Sequence, residues 1–222
     1  DADVLDYNVN DVLITLALYT HQLEIVKLRV ELSNLYGVNL LNDNKSKVAD
    51  KLMSKFYTEA TGLKYWDFKD SKTYRDFIDF SEIIDKRIIF HDPILIKFLD
   101  DLKGTLFNTS SGEFSVNLIF RNQAYTFATG GLHSKDRPGL YIPKLNHIFR
   151  DCDVGSYYPS IIKILRIAPE HLVREAFVAI VSMVINERLE AKHNGYKVKA
   201  DGMKIVLNSG TFGKLGFEKG WE

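Results

Sequence analysis

Apolar residues recur every three or four positions in several stretches of the chain, which is the spacing that gives an α-helix one apolar face. Glycine follows the first two stretches, at Gly37 and Gly62, and a proline opens the third within its first turn. The fourth stretch carries an apolar face that is expected to be buried, made of Phe177, Ile180, Val181, Val184 and Ile185. The predicted helices are 6–35, 48–58, 92–102, 170–193 and a last one that begins near Met203, after Gly202.

Between residues 113 and 154 the period shortens to two. Apolar and polar side chains alternate from Phe114 to Arg121, and Ala124–Phe127 follows after Arg-Asn-Gln, as in a β-hairpin. A further strand is predicted over Ile148–Val154. Helices therefore come first, then antiparallel strands, then a strand followed by a helical hairpin. This order predicts an α+β fold.

The composition of the chain constrains its size class, its partners and its compartment. The 222 residues are 45% hydrophobic and 26% charged, enough to bury a core in one large or two small domains. Lys plus Arg and Asp plus Glu each number 29, so only local clusters of charge can mark a polyanion partner.

A single cysteine, Cys152, excludes an internal disulfide and favours a reducing compartment. No apolar run approaches the roughly 20 residues that span a bilayer, so we expect a cytoplasmic protein without a membrane partner. Because Asp1 rather than Met opens the chain, we interpret it as a fragment.

The segment Asp153-Val-Gly-Ser-Tyr-Tyr-Pro-Ser-Ile-Ile162 places a carboxylate at the end of a predicted strand, directly before a tight aromatic turn. A carboxylate suits a metal ion, and the backbone amides of such a turn suit a phosphate. On its own, this pattern is also that of an ordinary aspartate followed by a Tyr-Pro turn. The segment resembles motif A of the family B (polymerase-alpha-like) DNA polymerases, DxxSLYPSII, with Tyr157 where the family more often has Leu.

The resemblance to motif A implies a role for each of its polar residues. Asp153 and the backbone carbonyl of Val154 would hold a divalent metal, Mg²⁺ or Mn²⁺. Ser156 and Tyr157 would lie against the phosphates of an incoming nucleotide. Tyr158 would pack under the sugar and reject a 2′-hydroxyl, which favours deoxynucleotides.

Four polar residues of the predicted helical hairpin pair at i, i+4 spacing, so each pair shares a helix face. Arg188 and Lys192 form one pair, and Lys204 and Asn208 form the other. If the two helices face each other, the three cations among these residues could point into one cleft. The alternative is that the cations lie on a solvent-exposed helix face, which is the more common situation for an Arg/Lys pair. The resemblance implies that all four bind the triphosphate and that Lys204 takes part in catalysis.

The end of the chain resembles motif B of the same family, KxxxNSxYG. Lys204-Ile-Val-Leu-Asn208-Ser209 fits the pattern, but two residues, Gly210 and Thr211, stand where it allows one, and Phe212 replaces the usual Tyr. The resemblance implies that Phe212 and Gly213 contact template DNA. Eleven residues separate Lys192 from Lys204, a short fingers segment like that of small phage and viral polymerases.

Two weaker resemblances lie upstream. Tyr7 and Asp11 match the YxxxD pattern of the third exonuclease motif of proofreading polymerases, in which Tyr7 would position the attacking water and Asp11 would hold a metal. Many amphipathic helices contain the same pattern. The second resemblance is to the YxGG element that touches DNA, and it rests on Gly130 and Gly131, followed by His133. The alternative is a glycine-containing hairpin turn without a role in binding.

The order of these motifs predicts four regions: the end of a 3′–5′ exonuclease domain (1–36), a helical connecting region (37–112), an incomplete antiparallel β palm with motif A (113–168), and helical-hairpin fingers with motif B (169–222). Motif C and the first two exonuclease motifs are not in the sequence. We therefore expect a fragment of a DNA polymerase that needs primer-template DNA, deoxynucleoside triphosphates and the rest of its chain, and is inactive alone. A non-catalytic nucleic-acid-binding module and an α+β domain with accidental motifs are the alternatives.

Overall fold

The structure is a computed structural model that describes residues 2–69, 71, 73–128 and 131–212. Helix makes up 57% and strand 11%, with two small antiparallel sheets, so the fold is α+β, as predicted. The chain divides into two compact units. Residues 1–73 and 153–222 form the first, here called the helical unit, and residues 74–152 form the second, the sheet unit. The predicted regions 37–112 and 113–168 each contain a boundary between these units.

The elements are numbered in chain order. The described helices are α1 (Ala2–His21), α2 (Leu23–Tyr36), α3 (Lys45–Thr61), α4 (Tyr65–Lys69), α5 (Phe80–Ile83), α6 (Pro93–Lys103), α7 (Tyr157–Leu165), α8 (Arg174–His193) and α9 (Lys197–Leu207). The described strands are β1 (Phe77–Asp79), β2 (Leu106–Asn108), β3 (Ser115–Phe120), β4 (Gln123–Ala128) and β5 (Gly131–Ser134). A short 3₁₀ turn spans Thr109–Ser111, and a π-helical turn, Asn208–Phe212, follows α9.

Side-chain caps and glycines set several helix ends where the sequence places them. The Asn44 side chain accepts a hydrogen bond from the Lys47 amide at 2.9 Å and so begins α3. Gly37 and Gly62 end α2 and α3 with φ of 63° and 73°, the left-handed conformation that glycine adopts without strain. In α6, Pro93 occupies the first turn as predicted.

The core of the helical unit lies where α8 packs against α3 and α9. Every residue of the predicted apolar face of α8 is buried, which confirms that prediction. Val181 and Val184 meet Leu52 and Met53 of α3 and Met203 of α9 within one cluster of fully buried side chains. The Tyr57 hydroxyl accepts the amide of the residue before α8 at 2.7 Å, and so satisfies one of that helix's free N–H groups. These contacts fix α8 and α9 side by side.

The sheet unit contains both sheets. Strands β1 and β2 pair antiparallel, and β3, β4 and β5 form a meander in that order. Arg121 and Asn122 join β3 to β4 with φ of 51° and 62°, and two positive values in succession are the signature of a type I′ hairpin turn. The hairpin predicted from the alternating pattern is therefore confirmed.

Three predicted elements are wrong in detail. The helix predicted over 6–35 is two helices, because Gln22 departs from helical geometry with ψ of 5°, and its amide is shared between two carbonyls of α1. The helix predicted from Glu170 begins at Arg174, four residues later. The last helix begins at Lys197 instead of Met203, since Gly202 lies inside it and does not break it.

The predicted strand Ile148–Val154 is also wrong. No described backbone pairs with these residues, and all of them are exposed. A strand forms when a neighbouring strand satisfies its N–H and C=O groups, and apolar alternation cannot replace that partner.

Among the described residues, no helix combines the length and the apolar character needed to cross a membrane.

Candidate nucleotide-binding site

The turn between α8 and α9 brings their cationic side chains together. α8 ends at His193 with Asn194 as its C-cap, and Gly195 follows with φ of 74°. The Tyr196 amide donates to the Ala191 carbonyl at 2.8 Å, and the Gly195 amide donates to the Lys192 carbonyl at 3.4 Å. This pair of bonds is a Schellman motif, which reverses the chain within a few residues. α9 therefore starts directly beside the last turns of α8.

A cavity of about 310 Å³ lies between the two helices. It is lined by Arg188, Lys192, Gly195, Lys197, Ala200, Asp201 and Lys204. The predicted grouping of Arg188, Lys192 and Lys204 in one cleft is thus found in the structure. Four cations face one carboxylate, so the lining carries a marked excess of positive charge. In the part of the chain that the structure describes, none of the three predicted cations has a carboxylate within ion-pair distance, so their charge is available to a polyanion.

Arg188 links this cavity to the segment 153–162. Its Nη1 donates a hydrogen bond to Ser156 Oγ at 2.7 Å, across 32 positions of sequence. Ser156 has φ of 53° and ψ of 44°, a left-handed conformation that costs a residue with a Cβ on the order of 1–3 kcal/mol. The bond from Arg188 contributes to holding Ser156 there. The segment 153–162 and α8, separated in sequence, are therefore in direct contact.

Tyr157 and Tyr158 open helix α7, which the sequence did not predict. Tyr157 and Tyr158 lie in its first turn, are both exposed, and have ring centroids 5.4 Å apart. Pro159 does not break α7, because a proline in the first turn has no hydrogen-bonded N–H to lose. The helix presents both tyrosine rings to solvent within a few residues of Ser156.

The predicted metal ligands are placed less favourably. Asp153 and Val154 are exposed in irregular backbone just before α7. Among the described residues, no group of three or more His, Cys, Asp or Glu is placed to hold a metal ion. Mg²⁺ is usually bound by one or two carboxylates, with waters and substrate phosphates completing its octahedral coordination. Asp153 and the Val154 carbonyl would therefore supply only part of such a site.

Tyr7 and Asp11 lie on α1, away from any described core. Both are exposed, as is every other α1 residue whose burial is described. Apolar residues such as Val12, Leu13 and Leu16 are more than half exposed, so α1 is an apolar helix that no described residue covers. The structure does not bring Asp11 together with Asp153 in an acidic cluster.

The residues predicted to touch DNA are only partly described. Gly131 begins β5 with φ of 119°, and His133 is exposed on the same strand, whereas Gly130 and Gly213 lie outside the described residues. The backbone of Phe212 ends the π-helical turn, and its side chain is not described.

Gly210 and Thr211, which stand where the KxxxNSxYG pattern allows one residue, lie in that π-helical turn. Asn208, exposed at the end of α9, begins it. A π-turn closes over one residue more than an α-turn, so it takes in an added residue without ending the helical path. Gly210 faces α3 in this turn, where a Cβ would lie 2.9 Å from Met53 Cγ and 3.4 Å from Ala49 Cβ.

Lys197 and Asp201 belong to the cavity but were missed from the sequence. Placing the start of α9 at Met203 put both residues in a loop. Once the helix begins at Lys197, the spacings 197, 201 and 204 fall on one face, which is the signal that could have found them.

Comparison with known proteins finds no protein family, no curated protein and no solved structure that matches the chain.

Proposed function

We propose that the chain is a piece of a template-directed, family B-like DNA polymerase in which α8 and α9 bind the phosphates of an incoming deoxynucleoside triphosphate. One observation carries the proposal: Arg188, Lys192 and Lys204, assigned to the triphosphate by the motif resemblance, line one cavity on two separate helices. The hydrogen bond from Arg188 to Ser156 adds support, because it joins motif A to that cavity.

The chemistry of the cavity suits this role. A triphosphate carries several negative charges that need charge-assisted hydrogen bonds, and negative charge builds on the leaving pyrophosphate during nucleotidyl transfer. The guanidinium of Arg188 offers a planar fork of donors to phosphate oxygens, whereas Lys192 and Lys204 act as point charges. A cation held close to the leaving group stabilises that charge as it develops. Asp201 opposes binding and limits the affinity.

The remaining parts of the proposal concern a longer protein. There, Asp153 and Val154 would contribute to a Mg²⁺ or Mn²⁺ site whose other donors lie outside this sequence, and Tyr7 and Asp11 would belong to a proofreading exonuclease. The uncovered apolar surface of α1 supports packing against further polymerase chain. Primer-template DNA is the proposed macromolecular partner and the cytoplasm, of the host if the source is viral, the proposed location. Alone, this chain would neither polymerise nor degrade DNA.

A titration with inorganic triphosphate tests the cavity without involving a metal. Isothermal titration calorimetry in EDTA should show saturable binding by the unsubstituted chain. Arg188→Ala and Lys204→Ala should each weaken binding by about tenfold or more, since a hydrogen bond to a charged group contributes about 1.5–3 kcal/mol. Lys163→Ala is the matched control, because Lys163 is an exposed cation of the same unit outside the cavity, and it should leave the affinity unchanged.

Three other results would point away from the proposal. Equal losses for the cavity variants and for Lys163→Ala would indicate non-specific attraction. Binding of single-stranded DNA with steep salt dependence, and no binding of triphosphate, would favour a nucleic-acid-binding module. Binding of neither would favour accidental motifs.

A further inference from the structure

Glu187 joins α8 and α9, the two helices that line the cationic cavity, to α2. Its Oε2 accepts a hydrogen bond from the Tyr36 hydroxyl of α2 at 2.9 Å. The same oxygen forms an ion pair with Lys199 Nζ of α9 at 3.1 Å. Glu187 itself lies on α8, directly before Arg188. Because 27% of the Glu187 side chain and 34% of the Lys199 side chain are exposed, the pair is partly shielded from water.

Helix geometry connects this pair to the cavity. With 3.6 residues per turn, Lys197 and Lys204 lie about 160° and 140° around α9 from Lys199. The ion pair therefore draws one face of α9 towards Glu187 and turns the opposite face, which carries Lys197 and Lys204, into the cavity. On α8, Arg188 and Lys192 lie about 100° and 140° from Glu187 by the same geometry.

The hydroxyl of Tyr36 fixes the position of the carboxylate itself. Burial first and the carboxylate of Glu187 second raise the pKa of Tyr36, so the phenol stays protonated and remains a donor. Tyr36 also approaches Met203 of α9, with its oxygen 3.5 Å from the sulfur, and packs against Phe56 of α3. Tyr36 is thus held by the core and holds Glu187 in turn.

We propose that Glu187, held by Tyr36, is a positioning residue that keeps Lys197 and Lys204 of α9 turned towards Arg188 and Lys192 of α8. The inference rests on the proposed binding of a triphosphate in this cavity. According to this proposal, Glu187 strengthens the binding of a polyanion although it is itself negatively charged. Simple Coulomb attraction gives the opposite sign, because removing a nearby negative charge should strengthen polyanion binding.

This difference in sign makes Glu187→Gln the decisive variant. The glutamine can still accept from Tyr36 but no longer pairs with Lys199, and it makes the chain more positive. We expect the Kd for inorganic triphosphate, measured by calorimetry in EDTA, to rise by about three- to tenfold. Glu190→Gln is the matched control, an equal change of charge at an exposed position of the same helix, and its Kd should stay equal or fall.

A charge swap separates positioning from general loss of stability. The double variant Glu187→Lys with Lys199→Glu restores the ion pair in reverse without changing the net charge. It should recover part of the lost affinity, because a lysine at position 187 cannot accept the hydrogen bond from the Tyr36 hydroxyl. Tyr36→Phe is a milder second variant, which keeps the ion pair and should weaken binding less than Glu187→Gln. Circular dichroism at 222 nm establishes that each variant is folded before its affinity is compared.

The outcomes distinguish this inference from the function on which it rests. If the unsubstituted chain binds triphosphate and both Glu187→Gln and Tyr36→Phe bind it equally well or more tightly, the positioning role is overturned and the proposed function stands. Failure of the charge swap to recover affinity, when Glu187→Gln has lost it, also overturns the positioning role. If the unsubstituted chain binds no triphosphate, the proposed function and this inference fall together.

Discussion

Replacing Gly202 by alanine should destabilise the helical unit, and the sign of the effect should depend on Leu32. Gly202 lies inside α9 against α2, and a Cβ built there would be 2.5 Å from Leu32 Cδ2 and 2.9 Å from Cδ1. Leu32 is 1% exposed and belongs to the core cluster, so its methyl groups cannot turn out into solvent. The absence of a side chain at Gly202 is what allows α9 to approach α2 this closely.

Two opposing terms set the size of the effect. Alanine is favoured over glycine in a helix interior by about 0.8–1.0 kcal/mol. Forcing an extra methyl group into a packed core costs about 1–3 kcal/mol. Gly202→Ala should therefore lower the free energy of unfolding by up to about 2 kcal/mol. In a Leu32→Ala background the clashing methyl groups are gone, and the same substitution should raise it by about 1 kcal/mol.

Urea unfolding of the four proteins, followed by circular dichroism, gives this double-mutant cycle. The unsubstituted chain, Gly202→Ala, Leu32→Ala and the double variant are compared under one condition. A reversal of sign between the two backgrounds is the expected result. If Gly202→Ala stabilises the chain equally in both backgrounds, the close packing of α9 on α2 is refuted.

Three smaller predictions concern single contacts. Tyr57→Phe removes the hydroxyl that accepts the amide before α8 and should cost about 1–3 kcal/mol in urea unfolding, whereas Tyr19→Phe on exposed α1 should cost nothing measurable. Asn44→Ala should cost about 1 kcal/mol by removing the cap of α3, and Asn44→Asp should retain most of it. Because burial and Glu187 raise the pKa of Tyr36, stability should fall as pH rises above the ordinary tyrosine value of about 10. Tyr36→Phe should show a shallower fall, and equal slopes would contradict the burial of Tyr36.

Local signals in the sequence predicted much of the helical unit. The ends of α2 and α3 follow from Gly37 and Gly62, since a glycine in the left-handed conformation stops a helix wherever it occurs. The buried face of α8 follows from its apolar period. The start of α9 was missed, because Gly202 serves a tertiary contact with Leu32 that no local pattern reveals.

In the candidate site, too, local spacing in the sequence predicted some features, and tertiary packing decided the others. The spacing of Arg188 and Lys192, and of Lys204 after a short turn, indicated a shared cleft, and the structure places all three around one cavity. The contact between Arg188 and Ser156 depends on how α7 packs on α8, which sequence spacing does not give. The predicted strand before Asp153 failed for a related reason, since strand formation depends on a partner elsewhere and not on the segment alone.

The measurement that tests the central claim most directly is the location of a bound nucleotide on the chain. A deoxynucleoside triphosphate with a photoreactive group on its γ-phosphate is irradiated with the protein, and the labelled peptides are identified by mass spectrometry. The account predicts that labelling is confined to the cavity between Arg188 and Lys204, that unlabelled triphosphate competes for it, and that Lys204→Ala reduces it. Labelling spread over exposed lysines such as Lys45 and Lys86, without competition, would contradict the account.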